Sequence, residues 1–133
     1  MLDDIPLSLP SLSRSIKIQK RVARVGFDWP DLPPVVAKIH EEIDEVLFEV
    51  QQQTVEQSKV ADEMGDLLFA VVNLARHLGV EPEKALRQAN QKFERRFRGV
   101  EQCVEQSGRA FDKHTLAELD TYWDEVKQSE QSK

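Results

Sequence analysis

Two acidic pairs carry the chemistry this chain can do: Glu42 with Glu45, inside Glu41-Glu42-Ile43-Asp44-Glu45, and Glu63 with Asp66, inside Glu63-Met64-Gly65-Asp66. Each pair is spaced i, i+3, so on an α-helix both carboxylates leave from one side. Glu45 with Glu63, and Glu42 with Asp66, are both centred on Thr54. A helical hairpin reversing near Thr54 therefore places all four at one height. Four clustered anions repel one another, and hard divalent cations are what such oxygen donors bind.

The elements that must position these acids are helices. A helix is expected over 11–25, basic on its outer side and closed by Gly26, with Leu12, Ile16 and Ala23 inward. The loop Phe27-Asp28-Trp29-Pro30-Asp31 follows, with Asp31 as N-cap and Pro33-Pro34 admitted by the first turn of the next helix. That second helix should cover 32–53, with the apolar stripe Val36, Ile39, Ile43, Val46, Leu47 and Val50. A third, 56–78, should bury Val60, Met64, Leu67, Leu68, Val71, Leu74, Ala75 and Leu78 before Gly79 stops it. A fourth opens at Pro82 and turns Leu86, Ala89, Phe93, Phe97, Val100 and Val104 to one side, ending by Gly108. Thr115 with Glu118 three residues on is a capping box for the last helix, whose stripe is Leu116, Leu119, Trp123 and Val126. No stretch alternates at the period of a strand. The expected fold is all-α: an antiparallel bundle of about five helices with an acidic hairpin at its centre. Residues 1–10 read as an extended linker, 11–127 as the domain and 128–133 as a fraying tail.

At about 100° per residue, each acidic pair lies on the flank of its helix's apolar stripe. Periodicity does not set the hand of the hairpin, so the flanks either meet or diverge, and diverging acids are simply solvated surface. Carboxylates without Cys or paired His favour Mg²⁺, with Mn²⁺ as the alternative, over Zn²⁺. A ferritin-like di-iron site would need Glu-x-x-His on two helices, which is absent. A second cluster, Lys92-Phe93-Glu94-Arg95-Arg96, puts Lys92 and Arg96 on one flank with Phe93 toward the core. It is either a solvated basic face or a phosphate clamp, which Lys59, one turn before Glu63, can join.

With 18 basic against 24 acidic residues in 133, the net charge of −6 argues against duplex DNA or RNA as a partner. No run approaches a membrane span, so no membrane partner is expected either. The lone Cys103 suits a reducing cytoplasm and reads as a passive buried thiol. No Gly-x-x-x-x-Gly-Lys loop and no nucleophilic Ser or Cys arrangement is present.

These residues resemble the C-terminal domain of the MazG nucleoside triphosphate pyrophosphohydrolases, in the all-α NTP pyrophosphatase superfamily. The likeness runs from Asp3-Asp4-Ile5-Pro6 to Trp123 and is carried by Glu41-Glu42-Ile43-Asp44-Glu45, by Glu63-Met64-Gly65-Asp66-Leu67-Leu68-Phe69 and by Lys92 to Phe97. It implies that Glu42, Glu45, Glu63 and Asp66 bind Mg²⁺. It further implies nucleotide contacts from Lys38 through Glu41 and Glu42, from Lys59 through Asp62, from Asp66, from Lys92, Arg95 and Arg96, and from Trp123. Trp123 also lies on an apolar stripe, where a core role competes with that contact. The implied reaction is NTP plus water to NMP plus pyrophosphate, with Glu41 or a ligand carboxylate orienting the water and Lys92, Arg95 or Arg96 offsetting charge on the leaving group. The implied assembly is a homodimer or larger. Rival expectations are a relative acting on phosphoribosyl-ATP or on one dNTP, and a non-catalytic helical dimerisation module. Such domains usually occur in tandem, so one copy suggests a fragment or a departure from that layout.

Overall fold

The computed structural model describes residues 1–131. Among them are five α-helices and one short 3-10 turn: α1 (Ser11–Ala23), α2 (Leu32–Val50), α3 (Gln57–His77), α4 (Pro82–Ser107), the 3-10 turn Phe111–Lys113, and α5 (Leu116–Gln131). The all-α expectation holds, and no strand occurs among the described residues. None of these helices is long and apolar enough to cross a membrane. The helix ends fall where backbone chemistry puts them. Gly26, Gly79 and Gly108 each take a positive φ just beyond α1, α3 and α4, a conformation that costs glycine no Cβ clash. Asp31 stands at the N-cap of α2 as expected, but its side chain makes no capping hydrogen bond there. The second helix stops at Val50 rather than Gln53, because the polar run 51–53 has no apolar side to bury. The tail expected over 128–133 falls partly outside the described residues; α5 continues to Gln131.

The chain divides into two compact units, Met1–Ala85 and Leu86–Lys133. In the first, α2 packs along α3, and α1 packs on α3. The connection 51–56 is short, so α2 and α3 are antiparallel. Val35, Ala70, Val72 and Ile16 are buried. Gln19 locks α1 to α3 by donating from Nε2 to the Phe69 carbonyl at 2.9 Å. The N-terminal segment is held as well: Ile5 is buried, and Arg21 bonds Asp4 at 2.6 Å.

The stripes expected to be buried in α2 and α3 are only partly so. On α2 the sheltered positions are Val35, Ile39, Glu42 and Val46, whereas Val36, Ile43, Leu47 and Val50 are exposed. On α3, Met64, Leu68, Val71 and Leu78 are likewise exposed. Both helices are apolar through a wider arc than one neighbour covers, and periodicity located the arc without saying which edge meets the partner.

In the second unit, α5 approaches α4 at Gly99, where a Cβ would lie 2.7 Å from Val126 Cγ2. Val100 and Val104 are buried, while Leu86 and Phe93 are exposed, against the expectation that Phe93 faces the core. Phe93 stacks with Phe97 at 6.0 Å and meets Trp123 at 5.3 Å, forming an aromatic cluster open on one side. The capping box forms reciprocally: Glu118 N–H donates to Thr115 Oγ1 at 3.1 Å, and Thr115 N–H to Glu118 Oε1 at 3.0 Å. Glu118 also pairs with Arg109, whose hydrogen bond holds the carboxyl down at about 2. Cys103 is half-buried rather than enclosed.

Candidate metal centre

Antiparallel α2 and α3 turn their acidic flanks toward each other. One carboxylate oxygen from each of Glu42, Glu63 and Asp66 lies within 4.8 Å of the others. Glu42 is buried, Glu63 half-buried and Asp66 exposed, so the cluster grades from the helix interface out to solvent. Glu45 stands outside this trio but close enough to act on it. The Glu63 carboxyl is raised above its ordinary value by burial, then by the charge of Glu45, then of Asp66 and Glu42. That is the signature of a carboxylate short of countercharge. Oxygen-only donors at this separation, one of them resisting ionisation for want of a cation, fit a hard divalent ion.

Glu42 is not left without countercharge. Lys38, one turn earlier on α2, reaches its carboxylate at 3.0 Å and that of Glu41 at 3.3 Å. The hydrogen bond to Glu42 is the largest cause of the raised Lys38 pKa. Lys38 thus supplies the countercharge on one side of the cluster, while Glu63 on the other side has no ion pair among the described residues. Of the other acids and bases named from sequence in this unit, Glu41 and Asp62 are exposed, and Lys59 pairs with Glu56 at 3.4 Å rather than with an acid of the cluster.

The basic cluster belongs to the second unit and is partly spoken for. Arg95 and Arg96 both bond Glu130, at 2.9 and 3.0 Å, and hold its carboxyl at about 2. Lys92 is exposed, with no ion pair among the described residues. Trp123 is half-buried beside Phe93, compatible with core and with a contact surface alike.

A cavity of about 590 Å³ opens beside the carboxylates, with Glu42 and Asp66 on its wall. Trp29 and Phe69 supply apolar lining, and Gln19 and Asn73 supply amides. No sequence motif pointed to this part of the site. Asp28, in the loop before α2, accepts hydrogen bonds from Arg76 at 3.0 and 2.5 Å, and His77 Nε2 is 3.0 Å away. Those bonds, that to Arg76 first, bring the Asp28 carboxyl down to about 2. No period or spacing links Asp28 to residues 48 and 49 positions away. The one local signal was Asn73 with Arg76 at i, i+3.

The family model of the MazG nucleotide pyrophosphohydrolase domain matches residues 34–100, half the chain, including both acidic pairs. The chain is 57% identical over 129 residues to a nucleoside triphosphate pyrophosphohydrolase of Escherichia coli, covering 97% of this chain and 49% of that protein. It is 40% identical over 119 residues to the nucleoside triphosphate pyrophosphohydrolase/pyrophosphatase MazG of Thermotoga maritima, covering 90% of this chain and 45% of that protein. It therefore spans about half the length of these curated relatives. An uncharacterized protein of Bacillus subtilis, YabN, is 41% identical over 130 residues, 26% of its length. A paired-carboxylate helical hairpin, with the matching family pattern laid across it, makes this chain a member of the MazG nucleotide pyrophosphohydrolase family.

Proposed function

We propose that the chain hydrolyses nucleoside triphosphates to the monophosphate and pyrophosphate. The carrying observation is the trio Glu42, Glu63 and Asp66 at the mouth of a cavity large enough for a small ligand, in a chain of this family. These three residues would hold Mg²⁺, with Glu45 tuning them through its charge on Glu63. A bound Mg²⁺ supplies Lewis acidity at the α-phosphate and lowers the pKa of water. The water oxygen forms the new bond to the α-phosphorus, the α–β bridging P–O bond breaks, and the electron pair leaves with pyrophosphate. Glu41 or a cluster carboxylate takes the proton released from the water.

Lys38 has a part that its pairing suggests. With Glu42 committed to a divalent ion, the Lys38 ammonium would be released from its 3.0 Å pair with that carboxylate and would be placed to hold a substrate phosphate. Of the basic residues that the family resemblance assigns to the leaving pyrophosphate, Arg95 and Arg96 are neutralised by Glu130, and Lys92 has no ion pair among the described residues. A homodimer at least is part of the reading: the exposed Ile43, Leu47, Met64 and Leu68 form apolar surface on the hairpin that a second copy can cover.

Chromatography of the products tests the reaction. NMP with pyrophosphate is expected, strictly dependent on added Mg²⁺. NDP with orthophosphate would refute the bond assignment, and no turnover of any NTP or dNTP would leave a helical assembly module instead.

A further inference from the structure

The cavity beside the carboxylates carries more than a phosphate chain requires. Phosphates call for cations and N–H donors, whereas this wall adds an indole, a phenyl ring and two oriented amides. Orientation is the informative part. Arg76 donates to Asn73 Oδ1 from Nε at 3.1 Å and from Nη2 at 2.8 Å, which identifies the oxygen. The Asn73 Nδ2 group, with two N–H donors, has no partner among the described residues. Gln19 is fixed in the opposite sense: Nε2 donates to the Phe69 carbonyl, and its buried Oε1 accepts nothing. A buried acceptor without a partner is uncommon enough to call for a ligand or a water.

One network sets this geometry. Asp28 holds Arg76, which holds Asn73, and the same Asp28 Oδ1 accepts from the Trp29 N–H at 2.8 Å. The amide on α3 and the indole in the loop before α2 are therefore positioned by a single carboxylate. Spacing supplies the scale. Asn73 follows Asp66 by seven residues, two turns on the same side of α3, roughly 10 Å along the axis. That is about the reach of a ribose and a base from an α-phosphate held at Asp66.

Resting on the pyrophosphohydrolase reading, we propose that this cavity is the nucleoside pocket and that Asn73 is its specificity-determining residue. Asn73 Nδ2 donates to an acceptor on the base edge, Gln19 Oε1 takes an N–H from it, and Trp29 lies along the ring face. Asp28 and Arg76 are positioning residues.

The test compares kcat/KM for the four common NTPs between wild type and two variants, alongside calorimetric titration with NMPs in Mg²⁺. Asn73→Leu removes the donors. Asn73→Asp removes them while keeping the acceptor for Arg76, so it serves where the first variant folds poorly. Both should lose roughly 5- to 100-fold on the preferred base, mostly in KM, with the preference over the poorest base shrinking by a similar factor. Asp28→Asn should shrink it less, and Mn²⁺ affinity without nucleotide should match wild type for all three. A uniform loss across bases with the preference intact would overturn the pocket while leaving the pyrophosphohydrolase reading standing. Asn73-dependent selection among NMPs without pyrophosphate release from any NTP would do the reverse.

Discussion

Glu63 is the residue whose state reports most directly on the site. Burial and its acidic neighbours raise its pKa, so its charged form works against the metal-free fold. The sign follows: its unfavourable charge grows as pH rises through the folded pKa. Glu63→Gln should therefore raise the melting temperature of the metal-free protein at neutral pH while cutting turnover at least ~100-fold, the scale of losing metal-centred charge stabilisation. Scanning calorimetry with chelator, then with Mg²⁺, checks both halves; a lower metal-free melting temperature would make Glu63 a structural acid. Lys38→Met should tighten Mn²⁺ binding without nucleotide, because it removes a cation 3.0 Å from the Glu42 carboxylate, yet raise KM for NTP. Titration calorimetry and steady-state kinetics separate the two effects. At Asp28 the shift runs the other way. Its carboxyl is held at about 2 from 3.8, so its contribution is complete above about 3.8 and disappears as pH falls through about 2. The melting-temperature gap between wild type and Asp28→Asn should narrow below pH 4.

Among the elements, α4 and α5 are tied by a close approach, so the usual rule for glycine in a helix reverses. Gly→Ala inside a helix ordinarily stabilises by about 0.5–1 kcal/mol. At Gly99 the new Cβ would meet the branched Val126 side chain at 2.7 Å. Gly99→Ala should instead destabilise by ~1–3 kcal/mol, the cost of overpacking, and Val126→Ala in the same chain should recover much of it. Urea unfolding of the two single variants and the double variant measures that coupling. Thr115→Ala removes the donor's partner in the capping box, with an expected loss of about 1 kcal/mol. The acidic hairpin obeys different priorities: Glu42 is buried, a cost that Lys38 offsets and that a bound divalent ion would offset further.

For the whole molecule, the uncovered apolar residues of α2 and α3 are the main expectation-setting feature. Val36, Ile43, Leu47, Leu68 and Val71 are each more than a third exposed. Scattered apolar exposure is ordinary, but a run at helical spacing on two adjoining helices supports the proposed homodimer. Sedimentation across micromolar concentrations should give a species of at least twice 15.3 kDa. Leu47→Glu with Leu68→Glu should shift it toward the monomer, because burying two carboxylates opposite a second copy is costly.

Much of the site was legible from local pattern because local pattern is what helices obey. The i, i+3 pairs, the common centre at Thr54 and the glycine stops all follow from the periodicity of one chain segment, and they placed Glu42, Glu63 and Asp66 at one level. Which edge of each apolar arc meets the neighbouring helix was decided only by packing, since both edges carry apolar side chains at helical spacing. That choice put Val35 and Glu42 inside and left Ile43 and Leu47 out. Charge pairing was decided the same way: Lys38 reached Glu42, while Glu130 claimed Arg95 and Arg96 from another helix. Asp28 is the clearest case. Its link to Arg76 spans 48 residues, and nothing in a loop aspartate distinguishes a solvated carboxylate from the anchor of a binding wall until the chain has folded around it.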